Sequence, residues 1–186
     1  MAEAELGQAK VEEGWEYADA DTQYHVHGIH PYPARMIPQI ANRLIREWSG
    51  AGDLVLDPFC GSGSVLAEAL LLGRNAVGVD INPLAHLIAK VKTTPIEITE
   101  LDIESQRLLE SVSANIELKR SGRYRAQIPY FTNIFHWFNS NVVEELAIVR
   151  EQIDTLCPSG RLRDFFQVCF SMTIRKTSNI AFADNP

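Results

Sequence analysis

The stretch LVLDPFCGSGSVLAEALLLGRNAVGVDINP, residues 54–83, constrains the fold more than any other part of the chain. Leu54–Val55–Leu56 is a short apolar run that ends on Asp57, as expected of a buried parallel strand. Ser64–Leu72 reads as a helix with Val65, Leu66, Ala69 and Leu72 on one face, and Gly73 supplies its stop. Ala76–Val77–Gly78–Val79 forms a second strand ending at Asp80. Strand, helix and strand in this order mark an α/β sandwich.

The turn from Asp57 to Ser64 lies beyond the carboxyl end of the first strand, where such sheets receive ligands. Gly61 and Gly63 lack a Cβ and so permit a tight bend and close backbone approach. The amides that open the next helix have no partner within it and can orient polar groups. A dinucleotide site would carry Gly-x-Gly-x-x-Gly and place pyrophosphate here. This loop lacks the third glycine and begins on an acid. That chemistry suits the cationic methionine portion of S-adenosylmethionine better than pyrophosphate. Asp80 ends the second strand, where an acid accepts hydrogen bonds from two ribose hydroxyls. Phe59 can cover such a cofactor, and Asn82 and Pro83 can border its adenine. Plainer readings stand beside these: Phe59 as a packing aromatic, Asp57 as a cap for local amides, the glycines as an ordinary turn. Cys60 has no identifiable base beside it and reads as loop packing rather than a nucleophile.

Around this unit the chain divides into three. Residues 1–23 read as a loose acidic arm. Residues 24–95 form the α/β core. They open on HGIHPYPARMIP, whose three prolines disfavour a continuous helix or a central strand. Pro38 then suits the first turn of a helix that ends at Ser49–Gly50–Ala51–Gly52, and Pro83 the start of a second crossover helix. Residues 96–186 are mainly helical, with periodicity over 101–119, 140–156 and 163–176. Thr99 and Asp102 resemble a capping pair at the first of these. Two strands cannot cover so many apolar helix faces, so the fold is expected to be an incomplete one.

Composition narrows the class. With 46% hydrophobic and 22% charged residues the chain is a soluble globular domain. It has neither a spanning segment nor a secretory leader, so a cytoplasmic location is expected. Three widely spaced cysteines, Cys60, Cys157 and Cys169, read as reduced thiols rather than a disulfide or zinc framework. The net charge of −7 looks awkward for a nucleic-acid partner, but residues 1–20 hold six acids against Lys10 alone. The remainder is close to neutral and can bind through a local patch.

HPYPARM, DPFCGSG and VGVDINP together resemble successive parts of the DNA N4-cytosine/N6-adenine methyltransferase family. The resemblance is strong over residues 28–95 and looser beyond. It implies an α/β, Rossmann-like class I S-adenosylmethionine-dependent methyltransferase fold, here incomplete. It implies that Asp57, Phe59, Gly61, Gly63 and Asp80 bind S-adenosylmethionine, and that Pro33 and Ala34 wall its methionine portion. It also implies a site-specific transfer of methyl to an exocyclic amine in DNA, cytosine N4 or adenine N6.

The base chemistry of that family needs an Asp/Asn/Ser–Pro–Pro–aromatic loop, and the sequence contains none. Asn185–Pro186 resembles at most its first half, and a frayed polar terminus is the plainer reading. No catalytic residue is therefore nominated. Two readings follow: a methyltransferase module completed by further sequence or a second polypeptide, or an inactive S-adenosylmethionine-binding regulatory or assembly protein. Lys119, Arg120, Arg123 and Arg125, with Tyr124 among them, form an acid-free patch suited either to DNA phosphates or to plain solvation. Phe131, Phe135, Trp137 and Phe138 could line a base pocket, but burial against an absent sheet is the stronger expectation, with His136 as a packing histidine. His25, His27 and His30 have a spacing able to meet a metal, yet no nearby Cys or Asp joins them. No metal is expected; a turn or packing role is.

Overall fold

The computed structural model describes residues 14–157 and 159–179. Most of the expected acidic arm, and the Asn185–Pro186 terminus, lie outside these residues. Helix α1 (Pro38–Trp48) begins on its proline, where a missing N–H removes no helical bond. Strand β1 (Leu54–Asp57), helix α2 (Ser64–Leu71), strand β2 (Asn75–Gly78) and helix α3 (Pro83–Thr93) follow. Beyond them come α4 (Ile98–Arg120), the four-residue α5 (Ile134–Trp137), α6 (Ser140–Leu156) and α7 (Gly160–Thr177).

The two strands pair in parallel, with Leu54 opposite Asn75 and Asp57 opposite Gly78. Helix α2 makes the crossover and ends in a Schellman turn. Gly73, at φ +74°, donates its N–H to the Leu70 carbonyl, and the Arg74 N–H reaches the Ala69 carbonyl. Ala41 and Ile45 of α1 meet Ala69 of α2 over Val55 and Ala76 of the sheet. That face is covered. On the other face Leu54 is 65% exposed, Leu56 64%, Val77 46% and Val79 56%, so among the described residues no layer lies over it. The result is a partial α/β fold with a two-stranded parallel sheet, consistent with a reduced class I methyltransferase-like fold.

The helical remainder has its own core, in which Leu108 of α4 meets Ile153 of α6 and Phe166 of α7. Helix α7 also docks on α3, where Val168 packs with Ile88 and Val91. Full burial of side chains this size contributes about 2 kcal/mol each, so α7 joins the helical part firmly to the α/β part. The expected Thr99–Asp102 capping pair is not formed. Helix α4 begins at Ile98 with its cap two residues earlier than expected, at Glu97, and no side-chain cap bond, which leaves Thr99 inside the first turn. In the aromatic segment Phe138 is buried, but Phe135 is 64% exposed, Phe131 42% and Trp137 39%, and His136 lies exposed with its ring edge-on to Trp137. The covering sheet anticipated for these side chains is not among the described residues.

A buried carboxylate fastens the segment before α1 to the crossover helix. Glu68 of α2 is fully buried and accepts hydrogen bonds from Tyr24 Oη at 2.7 Å, His27 Nε2 at 2.8 Å and Asn42 Nδ2 at 2.6 Å. Burial pushes the Glu68 carboxyl up, but the three donors together outweigh it and hold it below its ordinary value. His27 is thus a structural histidine, and His30 bonds the Pro31 carbonyl and Ser171 Oγ instead.

Removing Glu68 strands three donors away from water, so Glu68→Ala should destabilise the chain by about 3–5 kcal/mol, read as a lower urea midpoint. A carboxyl with a depressed folded pKa stabilises in full above its unfolded pKa and loses that contribution as pH falls through the folded value. Acid should therefore cost wild type more stability than Glu68→Gln; equal acid sensitivity would contradict the assignment.

Candidate functional site

Both strands end at the same turn cluster. The Val79 N–H reaches the Asp57 carbonyl and the Cys60 N–H the Val79 carbonyl, each at 2.9 Å, so the parallel ladder continues into the loop. Asp80 then accepts the Gly61 N–H on Oδ2 at 2.9 Å and the Asn82 N–H on Oδ1 at 2.8 Å. Asp57 Oδ1 accepts the Phe59 N–H at 3.1 Å. Each Asp80 oxygen keeps acceptor capacity after its backbone bond, and the same is true of Asp57.

The glycines serve different ends. Gly61 has φ +50° and open space around its Cα, the nearest atom to an added Cβ being Tyr32 Cε1 at 3.7 Å. Gly63 has φ +80° and lies against α3, so an added Cβ would come within 2.8 Å of the Ala89 Cβ and 2.9 Å of its Cα. The first leaves room for a ligand; the second lets two helices approach. Cys60 is buried beneath the loop and packs near Gly78. Burial, then the nearby Asp57 and Asp80 carboxylates, push its thiol up, which removes it from nucleophilic chemistry.

Phe59 is 88% exposed and Ile81 fully so, leaving the outer side of the loop open. Asn82 caps α3 through the Leu84 N–H, and its Nδ2 donates to Tyr32 Oη at 3.1 Å; Pro83 follows as the first helical residue. Pro33 and Ala34 are exposed, Ala34 with φ +53°. Tyr32 is the contributor that sequence reasoning missed: it accepts from Asn82 and lies beside Gly61, and its position between Pro31 and Pro33 was the available signal. A cleft of about 380 Å³ lies between α3, α5 and α7, lined by His30, Leu84, Trp137, Phe138 and Ser171 among others. Burial pushes the His30 imidazole down, so neutral His30 can donate from Nδ1 to Pro31 and accept from Ser171 at Nε2.

The basic patch is less free than its sequence implies. Lys119 and Arg120 close α4 rather than lie in a loop. Lys119 pairs with Glu144 at 3.1 Å, and Arg120 pairs with Glu117 one turn earlier. Acids distant in sequence or on the same helix face supply what the local run lacks. Arg123 bonds Ser121, and both it and Arg125 are exposed.

The stretch that carries this cluster is similar to known proteins. Residues 5–91 match the model of a DNA methylase family. The chain is 35% identical over 167 residues to Type II methyltransferase M.MvaI of Kocuria varians, covering 88% of this chain and 37% of that protein. It is 43% identical over 77 residues to Type II methyltransferase M.MjaII of Methanocaldococcus jannaschii, covering 41% of this chain and 14% of that one. A tRNA (guanine(10)-N2)-dimethyltransferase of Methanothermobacter thermautotrophicus is 38% identical over 90 residues, 45% of this chain and 26% of that protein. No solved structure gives a significant match. The homology supports assignment at the level of the family and to no particular member, and the chain spans well under half the length of these relatives.

The two glycines can be separated by experiment. Gly61→Ala should cost about 1 kcal/mol, from a left-handed backbone alone. Gly63→Ala adds a collision with Ala89 and should cost about 3 kcal/mol or more, read from urea unfolding midpoints. Equal costs would mean that α2 and α3 do not approach at Gly63.

Proposed function

We propose, from this assignment to the DNA methylases, that the chain is the S-adenosylmethionine-binding module of a DNA amino-methyltransferase. The observation that carries the proposal is the convergence of Asp57 and Asp80 on one glycine turn at the ends of adjacent parallel strands. The donor set fits the cofactor. Asp57 would take the cationic amino group of the methionine portion, and Asp80, with acceptor capacity left on both oxygens, the ribose hydroxyls. Phe59 is free to lie over the ligand, Gly61 admits it closely, Gly63 shapes the turn, and Asn82 and Pro83 border the adenine. Pro33 and Ala34 would wall the methionine end, with Tyr32 beside them. S-adenosylmethionine supplies an electrophilic methyl group on a sulfonium. What this chain's residues contribute is orientation of that group, since positioning accounts for much of such a rate advantage.

The acceptor we assign is an exocyclic amine of DNA, cytosine N4 or adenine N6. An amine inside a duplex becomes reachable when its base is extruded. The loop that would hold the extruded base is absent from the sequence, so further sequence or a second polypeptide is proposed to supply it with the remaining sheet. The uncovered sheet face favours such completion. Arg123 and Arg125 are the members of the basic patch best placed for DNA phosphates. A second reading, an inactive S-adenosylmethionine-binding regulatory or assembly protein, is favoured by that same absent loop.

Calorimetric titration should give S-adenosylmethionine a tighter dissociation constant than NAD. Asp80→Ala should weaken it about tenfold or more, the equivalent of at least one strong hydrogen-bonding group. Equal NAD affinity, or an unchanged Asp80→Ala titration, would sink the cofactor assignment. Transfer of labelled methyl to DNA after addition of a polypeptide bearing the missing loop would favour the first reading. Binding without transfer in that mixture would favour the second.

A further inference from the structure

The cofactor assigned above carries charges of both signs: an ammonium and a sulfonium, but also a carboxylate. Asp57 and Asp80 answer its cationic and ribose parts. They leave the carboxylate beside two like charges, which raises its energy unless a cation lies close. The lysines of α3 can be sorted by what already holds them. Lys90 pairs with Asp164 at 2.6 Å.

Lys92 differs. It lies one turn beyond Ala89, the residue on which Gly63 rests, and only 6% of it is exposed. Its Nζ donates to Ser62 Oγ at 3.4 Å, and Ser62, the residue between the two glycines, is itself 1% exposed. Among the described residues Lys92 forms no ion pair. The charge that acts on it is another cation, Arg35 of the HPYPARM segment. Arg35 spends one Nη on the His27 carbonyl and likewise forms no ion pair among the described residues. Two cations of different segments thus act on one another, and neither forms an ion pair among the described residues. A buried ammonium with one long hydrogen bond is costly, and an incoming anion relieves that cost.

We infer that Lys92, with Arg35 beside it, supplies the positive charge that seats the carboxylate end of the methionine portion at the glycine turn, acting through Ser62. This rests on the cofactor reading and adds to it a residue that discriminates among ligands. Burial, with Arg35 adding to it, pushes the Lys92 amine down to about 8, and an anion at this place opposes both causes. Lys92 is a positioning residue, since it reaches the loop through its hydrogen bond to buried Ser62. Its role is therefore visible in ligand selectivity rather than in fold alone.

The test titrates the full chain with S-adenosylmethionine, S-adenosylhomocysteine and decarboxylated S-adenosylmethionine, comparing wild type with Lys92→Met and Lys92→Arg. Lys92→Met should weaken the two carboxylate-bearing ligands about tenfold and leave the decarboxylated one within about twofold. Lys92→Arg should restore most of the loss. A loss shared equally by all three ligands would make Lys92 a structural support and overturn the inference, as would no loss for any. Should Lys92→Met fail to fold, Ser62→Ala is read instead, with a loss of about threefold confined to the carboxylate-bearing pair; an equal or absent loss there overturns it too. A wild-type chain that binds none of the three would fail at the earlier step and remove the cofactor reading itself.

Discussion

The Asp80 carboxylate accepts one hydrogen bond from each of two turns, the Gly61 N–H before α2 and the Asn82 N–H before α3. Both turns would otherwise present unpaired amides at the carboxyl ends of the strands. One side chain therefore fixes where two helices begin relative to one sheet end. Because Asn82 in turn donates to Tyr32 and caps α3, the fixed point reaches back into the segment before α1. A ligand at this turn would meet a surface already organised by protein bonds. Its recognition would cost little further ordering.

The packing around that point is uneven. Beneath the sheet, Ala41, Ile45 and Ala69 close a tight apolar layer. Behind the loop, α3 comes so near that only glycine fits at position 63. Farther out, α7 bridges the α/β part and the three-helix core formed with α4 and α6. These parts pack like the interior of a larger molecule. The opposite sheet face and the aromatics around α5 do not.

The α/β unit was legible because its signals are local: apolar runs ending on acids, a glycine stop in the left-handed region, prolines in first turns. Gly73, Pro38 and Pro83 fill the positions their chemistry selects. What the sequence concealed depends on partners distant along the chain. Glu68 looks like a surface residue on an apolar helix until Tyr24, His27 and Asn42 converge on it. Lys119 looks available until α6 brings Glu144 alongside. Tyr32 was passed over for its neighbours Pro33 and Ala34, because only the folded chain brings it to Gly61 and Asn82. The α4 cap was misplaced by two residues, within the ordinary fraying of helix ends.

The bare sheet has a consequence for the chain in solution. Parallel strands are normally buried on both faces and flanked by further strands. Here, among the described residues, the outer edges of β1 and β2 offer backbone groups without ladder partners, beside an apolar strip from Leu54 to Val79. Such an edge templates the addition of any extended polypeptide that meets it, including other molecules of the same kind. An apolar strip of this kind favours self-association as concentration rises.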